Sequence, residues 1–232
     1  MRGADLNGVT KKIQSFPLWV RLTAVLIVVA LLCVGFFFLG KKFGSRVENF
    51  VNEQIVLSSD TDPKWDAPDY VTYEPIVKNE YSRPGTFLGE KNGIVVHYVA
   101  NPGSTAAQNR SYFNGLAVSG ATWASSHFII GLEGEVLQII PLDEISYCSN
   151  ERNSDTIAIE CCHPDEDGKF TDDTYESLVK LLADLCLEYD LDPLTQIIRH
   201  YDVTGKLCPI YFVEHEDEWK DLLTDVASAM TE

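Results

Sequence analysis

Residues 93–98 read GIVVHY, and a short apolar run dominated by β-branched side chains fits a buried central strand. Similar runs follow at residues 127–131, 135–140 and 156–161. The first two of these flank a Leu-Glu-Gly turn, which is typical of a β-hairpin. Several strands of one domain are therefore expected between residues 93 and 161.

Helical patterns lie between and after these strands. Ser104 can cap a helix that runs to about Leu116, and Thr171 can cap a second helix. This second helix carries four leucines on one face, so we expect it to pack on a sheet: Leu178, Leu181, Leu182 and Leu185. A short strand before His200 and an acidic helix over 216–230 complete the pattern. The sequence predicts an α/β domain with a mixed central β-sheet flanked by helices.

One long apolar segment precedes the domain. Residues 22–40 form an unbroken apolar run, opened by Arg21 and closed by Lys41 and Lys42. The run has the length that a helix needs to cross a bilayer, and it lacks the small residues of a signal-peptide cleavage site. The flanking charges are too balanced to set its orientation. We predict four segments: a cytoplasmic N-terminus at 1–16, a transmembrane signal anchor at 17–40, a stalk at 41–90 and the globular domain at 91–232.

The predicted stalk is polar and rich in proline, and three of its tyrosines are expected to dock on the domain: Tyr70, Tyr73 and Tyr81. The net charge of the chain is −17, which argues against nucleic acid as a partner because a polyanion would be repelled.

Six cysteines are too few and too unevenly spaced for a disulfide framework. Cys148, Cys161 and Cys162 could form a second metal site or a disulfide, but we favour buried and inert thiols. Cys161 and Cys162 should point to opposite faces of a strand. Cys186 is expected in the core. The acidic neighbours of His163 and His215 predict surface positions for both.

Three residues far apart in the chain are candidate metal ligands. His97 ends the first strand, His200 follows a later one, and Cys208 comes eight residues after His200. A lone histidine at the end of a strand is more often a satisfied core residue. If the strand ends are adjacent, however, the three side chains form a three-ligand site with an open fourth position, the arrangement of catalytic zinc.

Glu160 is the second unusual residue. It lies in an apolar strand, on the same face as Ala158 and Cys162. A carboxylate in such a strand either forms an ion pair at the strand end or serves as a general base whose pKa is adjusted by burial.

At residues 92–212 the chain resembles the zinc-dependent N-acetylmuramoyl-L-alanine amidases, the family of amidase-type phage lysozymes and animal peptidoglycan recognition proteins. Four motifs carry the resemblance: Val96-His97-Tyr98, the run from Ser125 to Ile130, Thr156 to Glu160, and His200 with Lys206 and Cys208. The histidine, lysine and cysteine of the last motif are the most specific part of this resemblance.

The resemblance implies roles for particular residues. His97, His200 and Cys208 match the zinc ligands, Glu160 matches the general base, and Lys206 matches the lysine that stabilises the oxyanion. Some members of the family have a tyrosine where this chain has Ser126, which shifts the catalytic role to Glu160. His127 is expected to be structural or to line the cleft.

Three functions remain open from the sequence. The resemblance implies a membrane-anchored zinc hydrolase that cleaves the amide between N-acetylmuramic acid and L-alanine in peptidoglycan. Because peptidoglycan lies outside the cell membrane, the domain would then be outside the cytoplasm. The alternatives are a module that binds peptidoglycan without cutting it, and a thiol hydrolase that uses Cys208 with a histidine base.

Overall fold

The computed structural model describes residues 65–231. These residues form one six-stranded sheet. Its strands are β1 (Val71–Tyr73), β2 (Gly93–Tyr98), β3 (Phe128–Ile130), β4 (Val136–Gln138), β5 (Thr156–Cys161) and β6 (Ile197–Arg199). The helices are α1 (Ala106–Ser119), α2 (Asp172–Tyr189), α3 (Pro193–Gln196), α4 (His200–Thr204), α5 (Ile210–Glu214) and α6 (Glu216–Ala229), with a 3₁₀ turn at Asn150–Ser154.

The sheet is mixed, as the sequence predicts. Its strand order is β1-β4-β3-β5-β2-β6. Strands β3 and β4 form the predicted antiparallel hairpin, and the other neighbouring pairs run parallel. Parallel strands end at the same edge of a sheet, so the ends of β2, β5 and β6 lie side by side. Ligands of α/β proteins bind at this edge.

Two apolar layers cover the sheet. On one face, Ile94 and Val96 of β2 pack with the predicted leucine face of α2 and with Trp219 of α6. On the other face, Ile129 of β3 packs with Phe113 and Leu116 of α1. Because side chains alternate along a strand, His97 points to the α1 face, between the positions of Val96 and Tyr98.

The start of α1 differs from the predicted cap by one residue. Thr105 is the N-cap: its hydroxyl accepts a hydrogen bond from the Gln108 amide, and the Gln108 side chain accepts one from the Thr105 amide. Ser104 instead donates its hydroxyl to the carbonyl of Asn101, so it closes the turn before the helix. The cap of α2 is Thr171, as predicted.

The predicted boundary at residue 91 is wrong, because part of the predicted stalk is built into the domain. Strand β1 adds to the sheet beside β4, and Trp65 packs edge-on against Phe128 at 5.5 Å between ring centroids. The Tyr70 hydroxyl donates to Asp184 of α2, which agrees with the expectation that Tyr70 docks on the domain. Prolines lie between these contact residues and interrupt the alternation that is typical of a strand. The alternation of apolar and polar residues therefore does not predict these contacts.

Arg83 and Glu144 fasten this segment to the domain. The guanidinium of Arg83 is fully buried and donates twice to the Glu144 carboxylate, at 2.7 and 2.8 Å. It donates a third hydrogen bond to the carbonyl of Ile76. A bidentate pair in which the third guanidinium nitrogen also donates a hydrogen bond is a geometry in which a buried charge is tolerated.

The predicted transmembrane anchor at 17–40 and residues 41–64 of the predicted stalk lie outside the described residues. Within residues 65–231, none of the helices combines the length and the apolar character that a bilayer crossing requires.

We predict that Glu144→Gln lowers the free energy of unfolding by about 3 kcal/mol or more, because it leaves the Arg83 charge buried and only partly paired. Burial raises the pKa of Glu144, but Arg83 and Lys78 outweigh it, and the net pKa is lowered. The stabilisation is therefore present at neutral pH and is lost as the pH falls through that lowered pKa. Denaturant titrations at neutral and acidic pH measure both effects.

Asp217→Ala is the control, since Asp217 forms an exposed ion pair with Lys220 and its removal should leave the unfolding midpoint unchanged. An unfolding midpoint of Glu144→Gln that matches the wild type at neutral pH would show that the pair does not hold the segment.

Candidate active site and metal centre

A cleft of about 300 Å³ opens where β2, β5 and β6 end. Register places His97 of β2 directly beside Glu160 of β5, with both side chains on the α1 face. His200 begins α4 immediately after β6, and Cys208 follows the turn after that helix. Five residues singled out in the sequence line this one cleft: His97, Glu160, His200, Lys206 and Cys208.

His97, His200 and Cys208 form a compact group of donors. One ligand atom from each lies within 4.8 Å of the other two, and all three residues are buried. The two imidazole rings are 4.7 Å apart between centroids, and His97 Nδ1 is 3.8 Å from Cys208 Sγ. Two imidazoles and a thiol are donors that suit zinc, and three protein ligands are the number found in catalytic zinc sites.

The far side of each imidazole is held by the segment that follows β4. His97 Nε2 lies 3.2 Å from the hydroxyl of Ser149, and His200 Nε2 lies 2.8 Å from the side-chain oxygen of Asn150. Because an amide oxygen only accepts, His200 carries its proton on Nε2 and keeps a lone pair on Nδ1. That Nδ1 is buried and has no hydrogen-bond partner. A metal ion at this point would satisfy it.

Burial keeps both imidazoles neutral, which is the form that binds metal. The pKa of His97 is well below its ordinary value because of burial, and electrostatic interactions with His200 and Lys206 lower it further. The pKa of His200 is lowered for the same reason and by Lys206. Burial raises the pKa of Cys208 to about 12. The Cys208 thiol therefore becomes a thiolate only beside a strong positive charge.

Glu160 is partly buried in the cleft. It does not form the ion pair at the strand end that was one of its two predicted roles. One carboxylate oxygen, Oε1, accepts a weak hydrogen bond from the Cys148 thiol at 3.5 Å. The other, Oε2, is buried without a hydrogen-bond partner. Burial raises the pKa of Glu160 to about 8, against the lowering effects of Cys148 and Lys206. Such a carboxyl group is poised to exchange a proton near neutral pH.

Lys206 is the exposed one of these five residues. It lies in the turn between α4 and Cys208, after Gly205, whose φ of 77° requires the left-handed conformation. A lysine in a turn can reach toward a ligand that enters from solvent, and its charge is close enough to lower the pKa of His97, His200 and Glu160.

Other polar residues singled out in the sequence have structural positions. His127 is fully buried: its Nε2 donates to the carbonyl of Glu144, and its Nδ1 accepts from the amide of Ala158. Cys161 and Cys162 point to opposite faces of the sheet, as predicted. The cysteines among residues 65–231 are all free, so the possible disulfide is not formed.

The prediction that His163 lies on the surface is wrong. The residue is buried, its Nδ1 donates to the carbonyl of Asp165 at 2.7 Å, and Tyr98 covers its ring at 5.0 Å between centroids. Its acidic neighbours in the sequence form an exposed loop around it. His215 is exposed, as predicted.

Sequence reasoning missed the segment Cys148, Ser149 and Asn150. Cys148 was expected to be inert, yet it lines the cleft and, with His97 and Glu160, forms a second group of donors within 4.8 Å. Ser149 and Asn150 contact the two imidazoles. The sequence signal that could have identified this segment is its position, because it is a polar stretch between the hairpin and β5.

A sequence model of the N-acetylmuramoyl-L-alanine amidase family matches residues 89–210, which is more than half of the chain. The chain belongs to this family. The matched range includes each of the five cleft residues that the sequence singled out, from His97 to Cys208.

Individual relatives of this chain agree with the family assignment. N-acetylmuramoyl-L-alanine amidase CwlL of Bacillus licheniformis is 36% identical over 153 residues, which cover 60% of this chain and 42% of CwlL. N-acetylmuramoyl-L-alanine amidase BlyA of Bacillus subtilis is 33% identical over 180 residues, or 69% of this chain and 47% of BlyA. The chain thus spans less than half the length of these curated relatives.

Among solved structures, the catalytic domain of XlyA superposes with a TM-score of 0.57 at 25% identity. The match covers 67% of this chain and 98% of the XlyA domain. The mixed sheet with flanking helices is therefore a fold that this chain shares with the catalytic domain of XlyA.

We predict that Asn150→Gly weakens zinc binding about 10- to 100-fold, because His200 loses the acceptor that fixes its tautomer. Glycine suits the test because Asn150 has a φ of 53°, which glycine adopts without strain. Asn150→Asp keeps an acceptor oxygen and should bind zinc within a few-fold of the wild type. Competition with a chromophoric chelator gives the dissociation constants. Equal affinities for wild type and Asn150→Gly would show that the contact does not orient His200.

Proposed function

We propose that this chain is a zinc-dependent hydrolase that cleaves the amide between N-acetylmuramic acid and L-alanine in peptidoglycan. The observation that carries the proposal is the convergence of His97, His200 and Cys208 within 4.8 Å in a cleft that also holds Glu160 and Lys206. Membership of the amidase family supplies the reaction, and the arrangement of the cleft supplies a role for each residue.

The three donors fit zinc. The unpartnered Nδ1 of His200 and the high pKa of the Cys208 thiol are both resolved if a dication lies between them. When bound, zinc supplies Lewis acidity, which makes water more acidic and polarises a carbonyl group. Ser149 and Asn150 hold the two imidazoles in place from behind.

Glu160 is the general base of the proposed mechanism. Its buried Oε2 has no partner in the protein, so it is free to accept a proton from a water molecule in the cleft. As that water attacks the amide carbonyl, Glu160 takes the proton and then delivers it to the leaving amine. The raised pKa of Glu160 favours the first transfer, because a carboxylate with a higher pKa is a stronger base.

Lys206 stabilises the negative charge that develops on the carbonyl oxygen. Stabilisation of an oxyanion by fixed positive groups is usually the largest single contribution in acyl transfer. The exposed turn at Gly205 lets the ammonium group approach a substrate from the solvent side of the cleft, opposite the buried ligands.

The cleft argues against both alternatives. A thiol hydrolase needs a reactive thiolate, but burial raises the pKa of Cys208 to about 12 and the two histidines are neutral. A binding module has no use for a carboxylate whose oxygen is buried and unpaired, since such a group costs stability unless it has a chemical task.

We also propose that residues 17–40 anchor the protein in the cell membrane with the domain outside the cytoplasm. The unbroken apolar run at 22–40 supports the anchor, and the location of peptidoglycan supports the orientation.

We predict that Glu160→Gln lowers kcat for release of stem peptides from purified cell wall by about 10²- to 10⁴-fold, since the side-chain amide of glutamine cannot take the proton from water. Zinc content should remain one ion per chain, because Glu160 is not one of the three ligands. His97→Ala should lose both zinc and activity. If Glu160→Gln keeps wild-type turnover, Glu160 is not the base. Absence of turnover in the zinc-loaded wild type would favour the binding module.

We predict that protease added to protoplasts expressing the full chain degrades residues 65–231, because the domain lies outside the membrane. A cytoplasmic marker protein in the same sample should stay intact until the membrane is dissolved. Protection of the domain in intact protoplasts would overturn the proposed orientation.

A further inference from the structure

Trp123 is a large aromatic side chain left exposed at the edge of the cleft. Its exposed fraction is 63%, yet it lines the same cavity as Glu160 and Lys206. The other two tryptophans among residues 65–231, Trp65 and Trp219, are buried in the core. An exposed tryptophan beside reacting groups is the kind of apolar surface that marks a ligand contact.

The position of Trp123 is fixed by the segment before the domain core. The ring of Tyr81 packs against the indole at 5.6 Å between centroids, and the carbonyl of Tyr81 accepts the amide of Ala124. Tyr81 in turn lies over Gly120, where a Cβ would come within 3.0 Å of the tyrosine ring. The indole is therefore supported on one side before any ligand arrives, which lowers the entropy lost on binding.

Two cavities meet at the reacting groups. The first contains Trp123, Tyr147 and Asn153, and it is the cleft with the metal-ligand group. We call the side of this cleft that carries Trp123 the tryptophan arm. A second cavity of about 420 Å³, the amide arm, contains Asn101, Gln108 and Tyr112. Both cavities include Phe113, Ala124, Glu160 and Lys206, so the reacting groups lie where the two arms join.

The walls of both arms are nearly free of charge. Among the described residues that line the two cavities, Glu160 and Lys206 are the acidic and basic side chains. This contrasts with the charge of −17 for the whole chain. Uncharged walls with aromatic and amide groups suit an uncharged ligand that offers hydroxyl, amide and C–H groups.

We infer that the tryptophan arm binds a pyranose ring of the glycan strand, stacked on the indole of Trp123. The electron-rich face of the indole attracts the polarised C–H bonds of a sugar, as it attracts the edge of another ring. Tyr147 and Asn153 offer polar groups to the sugar hydroxyls. The amide arm then takes the stem peptide, whose backbone is matched by the side-chain amides of Asn101 and Gln108.

This assignment rests on the proposed function for the identity of the ligand, because the amide that the enzyme would cleave joins a sugar to a peptide. It adds which side of the cleft receives each part. It also gives the segment from Trp65 to residue 90 a role beyond the sheet, since Tyr81 supports the sugar-binding ring.

The test is calorimetric titration of the zinc-loaded full chain with the tetrasaccharide of β-1,4-linked N-acetylglucosamine. This probe contains no amide between a sugar and a peptide, so its binding does not depend on hydrolysis. Trp123→Ala should weaken binding at least about tenfold, as expected when a central aromatic contact is removed. Trp123→Phe keeps a ring and should lose only about threefold.

Tyr112→Ala is the matched control, since Tyr112 is an aromatic residue of similar exposure, 55%, in the amide arm. Its affinity for the tetrasaccharide should equal that of the wild type. The inference is overturned if the wild type does not bind the tetrasaccharide, if Trp123→Ala binds within twofold of it, or if Tyr112→Ala is the variant that loses binding. If the zinc-loaded wild type binds the tetrasaccharide but does not hydrolyse cell wall, the proposed function is contradicted and the sugar-binding site is still supported.

Discussion

The parallel pairing of β2 with β5 is the interaction on which the site depends. It sets His97 beside Glu160 while the neighbouring side chains, Val96 and Ile159, fill the opposite face. Because side chains alternate, a slip of one residue in either strand would move its polar side chain into the apolar core. The buried layer against α2 therefore enforces the register, and the register places the two groups in the cleft.

A second constraint comes from three consecutive residues where the 3₁₀ turn begins, each of which contacts a different member of the site. Cys148 reaches Glu160, Ser149 reaches His97, and Asn150 reaches His200. The segment is itself tied down by Asn153, whose side-chain oxygen accepts the amides of Cys148 and Ser149. One short loop thus supports two strand ends and a helix start, which are far apart in the chain.

Local signals predicted much of this architecture, because strands, the hairpin turn and the Thr171 cap depend on neighbouring residues. Two of the candidate ligands were also predictable, since His97 lies near the end of an apolar strand and His200 follows one. Long-range contacts were not. The Arg83–Glu144 pair joins residues 61 positions apart, so nothing local identified the segment before residue 91 as part of the domain. The same holds for His163, which is covered by the ring of Tyr98, a residue far from it in the sequence.

The buried groups of the cleft share one electrostatic feature: burial favours the neutral form of His97, Cys208 and Glu160 alike. A dication among them would supply the charge that a thiolate and a carboxylate require. X-ray absorption at the zinc edge of the loaded protein tests this most directly. The account predicts one sulfur at about 2.3 Å and two imidazole nitrogens at about 2.0–2.1 Å. A spectrum without the sulfur would contradict it.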